Sequence, residues 1–285
     1  LIRAMGAFFV RRNSSDPLYR RVLERYVHMA TKEGVCQAVF LEGGLSRDGR
    51  LRPPKLGFLD YMLRSYDAQS DRDIVFIPVG VNYDRTLEDR TLLRELDPDA
   101  EKRSRWFIIK TTCGFIWKSL VLMILSRWQR FGYAYVNFGN PVSIRQYCAD
   151  RGLNFARLER PTRFAEVEKL ANRLMDAIRQ VVPALPVSLV ATVLLEAQPE
   201  GLHAADVQER VTQYIAELER CGAHSYLSPQ NRVESILNAL NMLQLRKLVG
   251  ESGGVYWAIP DEVNLLTYYA NAIAHWRRLA KGPNS

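Results

Sequence analysis

The first half of the chain alternates strand-like and helix-like segments. Runs of apolar and β-branched residues predict strands at 6–12, 37–42, 74–83 and 133–144. The third run is rich in β-branched residues, which predicts a buried strand. Alternation of this kind predicts an α/β layer fold, in which a sheet is flanked by helices.

Helix signals fall between these strands. Asp16 and Pro17 predict an N-cap and a first helical turn, and the following apolar residues share one face: Leu18, Val22, Tyr26 and Met29. A second helix is predicted over 56–66.

The segment from Asp84 to about Arg130 has a helical pattern. Its part from Trp106 to Trp128 is strongly apolar, with Trp and basic residues interspersed. Two interpretations stay open, a core helix and an interfacial helix that lies in the lipid headgroup layer.

The second half is mainly helical. Helices are predicted near 163–182, 187–197, 204–221 and 231–246, followed by a β-hairpin around Ser252-Gly253-Gly254 and a last helix after Pro260-Asp261. We therefore predict an α/β domain over 1–160 and a mainly helical C-terminal region with a β-hairpin over 161–285.

Composition adds a basic charge to this picture. The chain of 285 residues carries 39 Lys and Arg against 31 Asp and Glu, a formal net charge of +8, which favours an anionic partner. Its 4 cysteines show no metal-ligand or disulfide spacing, so we expect no metal and a reducing compartment. No stretch reaches the roughly 20 apolar residues of a spanning helix. Leu1 stands directly before a strand-like segment, and we interpret the chain as a fragment of a longer protein.

The most informative stretch is FLEGGLSRDGRLRPPKLG, residues 40–57. Glu42 ends a predicted strand, glycines follow, and four basic residues crowd the next turn: Arg47, Arg50, Arg52 and Lys55. Open α/β folds collect ligands at the carboxyl ends of strands, and arginine forks suit phosphate. A solvated surface loop and a phosphate site both remain compatible with this pattern alone.

Three motifs in order resemble those of the bacterial glycerol-3-phosphate acyltransferases, a branch of the glycerolipid acyltransferases. They are GAFFVRR at 6–12, FLEGGLSRDGR at 40–50 and IPVGVNY at 77–83. Two further segments, at 134–143 and 265–275, are similar to parts of the larger glycerol-3-phosphate enzymes. The resemblance therefore covers most of the chain and implies a glycerolipid-acyltransferase-like sheet.

The resemblance implies transfer of a fatty acyl group from acyl-CoA or acyl carrier protein to the sn-1 hydroxyl of glycerol 3-phosphate. Acylation of dihydroxyacetone phosphate or a lysophospholipid is the alternative within the class. No cofactor and no metal is expected. The residues implied in substrate binding are Arg11, Arg12, Glu42, Gly43, Ser46, Arg47 and Pro78.

The implied catalytic motif, H-x-x-x-x-D, is not matched in this chain. No histidine precedes an aspartate by five positions, and His28, followed by Glu33, lies after the arginine strand and is interpreted as structural. We expect the His-Asp pair upstream of Leu1 and expect the fragment alone to be nearly inactive. A second departure is Leu45, which stands where the family motif has arginine.

The net charge fits the phosphate substrate, the acyl donor and an anionic membrane surface. We expect a peripheral location on the cytoplasmic face of the inner membrane. An interpretation from another class of protein remains. Residues 187–260 are predicted to form three helices and a hairpin in the order of a winged helix-turn-helix, a DNA-binding or partner-binding module, and Arg232, Arg246 and Lys247 lie nearby. The candidate recognition helix is mostly apolar, so we expect no nucleic acid.

Overall fold

The structure, a computed structural model, describes residues 10–11, 15–69, 71–86, 88–94, 134–223, 227 and 230–281. The chain divides into two compact units. The first unit draws on Leu1–Gly44, Pro53–Pro78 and Asn140–Asp176, and the second on Leu45–Arg52, Val79–Gly139 and Ala177–Ser285. The predicted boundary at residue 160 stays a prediction.

The first unit joins helices to a short antiparallel strand pair. Its elements are α1 (Pro17–Lys32), α2 (Gly57–Leu63), β1 (Val75–Phe76), β4 (Val142–Ser143), α4 (Ile144–Arg151) and α5 (Arg160–Arg179), the last up to Asp176. The strands β1 and β4 pair antiparallel. A short 3-10 helix spans Phe155–Arg157.

Helix α1 begins at the predicted residue. The Asp16 carboxylate accepts hydrogen bonds from the backbone N–H groups of Leu18 at 2.9 Å and Tyr19 at 3.2 Å, which satisfies two donors of the first turn. The four apolar residues predicted to share a face do so, but that face is exposed. Leu18, for example, is 72% exposed, whereas Val27, on another face of the same helix, is fully buried.

Two arginines neutralise a buried carboxylate in the first unit. Asp60 in α2 is 1% exposed, and its Oδ1 accepts a hydrogen bond from Arg163 Nε at 2.9 Å while Oδ2 pairs with Arg64. Burial lowers the pKa of Arg64, but hydrogen bonds and attraction to Asp60 and Glu24 outweigh that cost and raise it. The buried charge is therefore paired on both oxygens, as a low-dielectric site requires.

The second unit contains two antiparallel sheets and most of the helices. Its elements are β2 (Val79–Tyr83), α3 (Asp89–Arg94), β3 (Ala134–Phe138), α6 (Pro186–Glu196), β5 (Leu202–His203), α7 (Ala204–Arg220), α8 (Arg232–Leu245), β6 (Val249–Ser252), β7 (Val255–Ala258), α9 (Val263–Asn271) and α10 (Ala274–Lys281). Strand β2 pairs with β3, and β7 lies between β5 and β6. A 3-10 turn at Pro260–Glu262 precedes α9.

The core of this unit surrounds α6. Every residue from Pro186 to Leu194 in this helix is buried, and all but Ser188 and Thr192 are apolar, as expected for a helix enclosed by others. Helices α7, α8 and α9 pack around it with the β6–β7 hairpin. Trp276 is 1% exposed and donates its indole N–H to the Val182 carbonyl at 3.1 Å.

These observations confirm a fold of mixed helix and sheet with a mainly helical C-terminal region and a hairpin. The predicted helices of that region match α5 to α8 within a few residues. The predicted strand at 37–42 is wrong, because residues 35–40 are irregular and 41–44 form a turn. Among the described residues, no strand pairs with this segment.

The predicted strand at 74–83 is divided, and it is not buried on both faces. The residues Ile77 and Pro78 separate β1 from β2, since proline cannot donate to a ladder. In β2 the buried side carries Gly80 and Asn82, whereas its valines are exposed. The reason is a close approach: a Cβ on Gly80 would lie 2.5 Å from the Val181 carbonyl oxygen, and Asn82 Nδ2 donates to the Pro183 carbonyl at 2.9 Å.

The helix predicted between Asp84 and Arg130 is described only as α3. The apolar segment from Trp106 to Trp128 lies outside the described residues. Within the described ranges, no helix combines the length and the apolar character needed to span a bilayer.

The half-buried His275 makes the second unit sensitive to pH. Its Nε2–H donates to the Arg179 carbonyl at 3.1 Å, and burial lowers its pKa from 6.5 to about 4. Between pH 4 and pH 6.5, His275 is therefore protonated in the unfolded chain and neutral in the folded chain. Stability contributed by neutral His275 is present above pH 6.5 and is lost as the pH falls towards 4.

We expect the free energy of unfolding to fall by about 2–3 kcal/mol from pH 7 to pH 4 through this group. Urea denaturation of the chain and of His275→Gln measures it as the difference between their pH profiles. The exposed His203→Gln serves as the control and should keep the slope of the parent chain. Equal slopes for His275→Gln and the parent would contradict the assignment.

Candidate functional site

A turn at residues 40–44 holds Glu42 and Gly43 in the first unit. The Gly43 N–H donates to the Phe40 carbonyl at 2.9 Å, and the Lys55 N–H donates to the Leu41 carbonyl at 2.8 Å. Gly43 has φ +66°, and a Cβ there would lie 2.6 Å from the Lys55 side chain. The glycine therefore permits both the turn and the approach of a basic side chain. Glu42 is half-buried in this turn.

The arginine-rich loop, residues 45–52, belongs to the second unit. The Ser46 hydroxyl lies 2.8 Å from the Arg50 carbonyl oxygen and 3.2 Å from Asp48 Oδ1, which also accepts the Arg50 N–H at 3.1 Å. The Asp48 side chain and the Arg50 N–H thus close an Asx-type turn. The turn presents Arg47, Arg50 and Arg52 as exposed side chains.

Helix α9 anchors this loop. Asn271 Nδ2 donates to the Asp48 carbonyl at 2.8 Å. Gly49, at φ +82°, packs so closely that a Cβ would lie 2.0 Å from the Tyr268 carbonyl oxygen. The loop therefore has a restrained backbone that carries exposed cationic side chains, an arrangement suited to an anion.

The other predicted site residues are placed separately. Arg11 is exposed, its N–H donates to the Tyr19 hydroxyl at 2.8 Å, and its guanidinium lies over the Tyr19 ring at 5.5 Å. Pro78 is buried, and it follows β1 and precedes β2 in the sequence. Arg12 lies outside the described residues. Convergence of all seven predicted residues on one ligand stays a prediction.

Sequence reasoning missed a buried charge network in the second unit. Asp89 Oδ2 pairs with Arg246 Nη2 at 2.5 Å and with the Tyr269 hydroxyl, and Arg246 Nη1 donates to that hydroxyl at 2.7 Å. Burial raises the pKa of Tyr269, so it stays protonated and donates to the carboxylate. Burial lowers the pKa of Arg246, but Tyr269 and Asp89 outweigh this and raise it. The partners lie far apart in sequence, and no local pattern indicates the network.

This network bears on the winged-helix interpretation. The predicted succession of helices and hairpin is present, and β5 joins the hairpin through β7. Arg246, however, bonds to Asp89 and Tyr269 rather than projecting to a partner, and α8 buries Ile236, Leu240 and Leu243. These contacts make α8 part of the core of its own unit.

Metal ligands are not clustered in the part of the chain that the structure describes. The cysteines described there are unpaired thiols, and burial raises the pKa of Cys148 to about 11, which leaves it an unreactive thiol.

Comparison with known proteins defines the class first. Residues 1–82, which include the turn at 40–44 and the arginine-rich loop, match a family model described as Acyltransferase. Residues 119–277, more than half of the chain and including α9, match a model described as Glycerol-3-phosphate acyltransferase C-terminal region. The chain therefore belongs to the glycerol-3-phosphate acyltransferase family.

Curated relatives agree with this assignment. The chain is 32% identical over 286 residues to a glycerol-3-phosphate acyltransferase of Pseudomonas entomophila, covering 96% of this chain and 33% of the relative. It is 31% identical to the proteins of that name from Pseudomonas syringae pv. tomato and Pseudomonas fluorescens strain SBW25, again over 96% of this chain and about a third of each relative. The chain spans about a third of the length of the curated relatives it matches.

Gly49 gives a direct test of the anchor on α9. We expect Gly49→Ala to lower the free energy of unfolding by about 1–2 kcal/mol for the positive φ and by about 1–3 kcal/mol more for the clash with Tyr268. Gly222→Ala is the matched control, because Gly222 has φ +85° and no atom lies within 4 Å of the position of its Cβ. Urea denaturation of both variants separates the two costs. Equal losses would show that Tyr268 does not restrain the loop.

Proposed function

We propose that this chain forms part of a glycerol-3-phosphate acyltransferase and supplies its phosphate-binding loop. The substrates proposed are glycerol 3-phosphate and a fatty acyl thioester of coenzyme A or acyl carrier protein. The observation that carries the proposal is the hydrogen bond between Asn271 and Asp48. It ties a loop within the acyltransferase match to a helix within the match to the glycerol-3-phosphate enzymes.

The phosphate is assigned to the arginine-rich loop. Guanidinium groups bind phosphate oxygens through paired N–H donors. The side chains of Arg47 and Arg50 extend from the same turn. The Ser46–Asp48–Arg50 hydrogen bonds fix the backbone of that turn before a ligand arrives. Pre-organisation of this kind lowers the entropic cost of binding.

The proposed reaction moves one acyl group. The sn-1 hydroxyl oxygen of glycerol 3-phosphate attacks the thioester carbonyl carbon, a C–O bond forms and the C–S bond breaks. The proton of the hydroxyl passes through a general base to the departing thiolate. The thioester is already activated, so the step needs no redox cofactor.

The general base is not assigned to a residue of this sequence. Each of the histidines, His28, His203, His224 and His275, lacks an aspartate five positions later. His275 is also held neutral and bonded to the Arg179 carbonyl. We therefore assign binding of the phosphate to this chain and test binding rather than turnover.

The anionic partners are proposed from charge. The net charge of +8 supports contact with the acyl donor and with the anionic cytoplasmic face of the inner membrane, where we propose a peripheral attachment. Dihydroxyacetone phosphate carries the same phosphate group, and its affinity relative to glycerol 3-phosphate distinguishes the two substrates.

Arg50 tests the phosphate assignment. We expect a glycerol 3-phosphate titration to shift the backbone amide signals of residues 46–50 in NMR spectra, and Arg50→Gln to weaken that affinity about tenfold by removing a charge-assisted hydrogen bond. Arg210→Gln on α7 removes an equal charge from an exposed position of the same unit and should leave the affinity unchanged. If Arg50→Gln binds like the parent chain, the loop is not the phosphate site.

Leu45 offers a gain-of-affinity test. It is the first residue of the loop and is 63% exposed, so an arginine fits there without disturbing a core. We expect Leu45→Arg to raise the affinity for glycerol 3-phosphate about tenfold, the value of one further charged hydrogen bond. Leu45→Gln controls for loss of the apolar side chain and should bind as the parent does. An unchanged affinity for Leu45→Arg would mean that no phosphate oxygen lies within reach of position 45.

A further inference from the structure

A second basic pocket lies within the first unit. It has a volume of about 220 Å³ and is enclosed by the C-terminal half of α1, the end of α2 and residues 71–74. Its wall carries His28, Lys32 and Arg72. None of the predicted site residues lines it. We call it the His28 pocket.

Its cations outnumber its carboxylates. Lys32 and Arg72 are exposed, and within the described ranges neither lies within 4 Å of a carboxylate oxygen. Asp71 is the acidic residue of the lining, and its Oδ2 accepts the Asp67 N–H at 2.8 Å. The side chains of the pocket thus carry a net positive charge even when His28 is neutral.

Arg72 packs against the backbone at the end of α1. Gly34 follows α1 at φ +72°, and a Cβ there would lie 2.1 Å from Arg72 Nη1. The guanidinium therefore packs on bare backbone at the end of the helix that carries Lys32 and His28. One turn of α1 places His28 and Lys32 on the wall of the pocket, and Arg72 adds a third basic side chain.

The remaining lining indicates the size and nature of a ligand. Met62 and Tyr66 are 6% and 3% exposed and form an apolar base, while the Ser65 hydroxyl adds a donor at the wall. Pockets for drug-sized ligands hold roughly 300–1,000 Å³. This volume is smaller and fits a compact anion with a short organic body.

We propose that the His28 pocket binds a phosphate monoester through Lys32, Arg72 and His28, as a site separate from the arginine-rich loop. The chemistry is shared by a small phosphorylated metabolite and by the phosphate headgroup of a lipid. Arginine provides a planar fork, lysine a point charge and the imidazole an N–H donor, a combination suited to the three terminal oxygens of a monoester.

His28 itself reports on occupancy. Titration of the chain with inorganic phosphate should shift the imidazole Cε1–H NMR signal of His28, which is assigned by its loss in His28→Gln. We expect Lys32→Gln combined with Arg72→Gln to weaken this response about tenfold or more. Both side chains are exposed, so circular dichroism should show the double variant folded.

Two controls separate this site from others. Arg25→Gln removes an exposed charge from α1 outside the pocket and should leave the His28 response unchanged. Arg50→Gln should also leave it unchanged, so a failure of the phosphate assignment to the arginine-rich loop and a failure of the His28 pocket are told apart.

Vesicles distinguish the two sources of phosphate. Phosphatidylcholine vesicles with and without phosphatidate are sedimented with the chain and with the double variant. Binding to phosphatidate that depends on Lys32 and Arg72 identifies a headgroup, and a response to inorganic phosphate without such binding identifies a soluble monoester. If His28 responds to neither probe, or responds equally in the double variant, the proposal is wrong.

Discussion

The close contact between Gly49 and the Tyr268 carbonyl is the constraint on which the candidate site depends. A loop with several like charges would ordinarily spread in solvent, because repulsion and chain entropy both favour an open form. Here the backbone is held by an Asx-type turn from within and by Asn271 from outside. The loop backbone is therefore restrained before an anion binds, and its exposed basic side chains extend from fixed positions.

The same helix supports the interior of its unit. Tyr269 follows Tyr268 in α9, and its hydroxyl bonds to Asp89 and Arg246. Two consecutive residues therefore contact different regions: the Tyr268 carbonyl contacts the loop, and the Tyr269 side chain contacts the core. The ion pair is nearly dry, and the tyrosine supplies a further hydrogen bond to each partner. Replacing one member would leave a buried charge uncompensated, which is costly in a low-dielectric interior. The geometry beneath the loop therefore depends on a network outside the three motifs.

Local signals predicted much of the secondary structure and part of the loop. Asp16 and Pro17 fixed the start of α1, and Ser252-Gly253-Gly254 located the hairpin, because caps and turns are set by neighbouring residues. The arginines of residues 45–52 were found from charge density and motif order. The strand at 37–42 failed because strand pairing depends on a partner elsewhere in the chain. The burial predicted for the strand at 74–83 failed for a related reason: which side chains of a strand are buried depends on the backbone that it meets, and here that backbone is residues 181–183.

That encounter between β2 and residues 181–183 has a broader meaning. Gly80 and Asn82 recognise peptide groups, which every amino acid possesses, and not the side chains attached to them. The contact therefore constrains the two segments differently. Strand β2 must keep glycine at position 80 and a carboxamide at position 82, whereas residues 181–183 must keep only their backbone conformation.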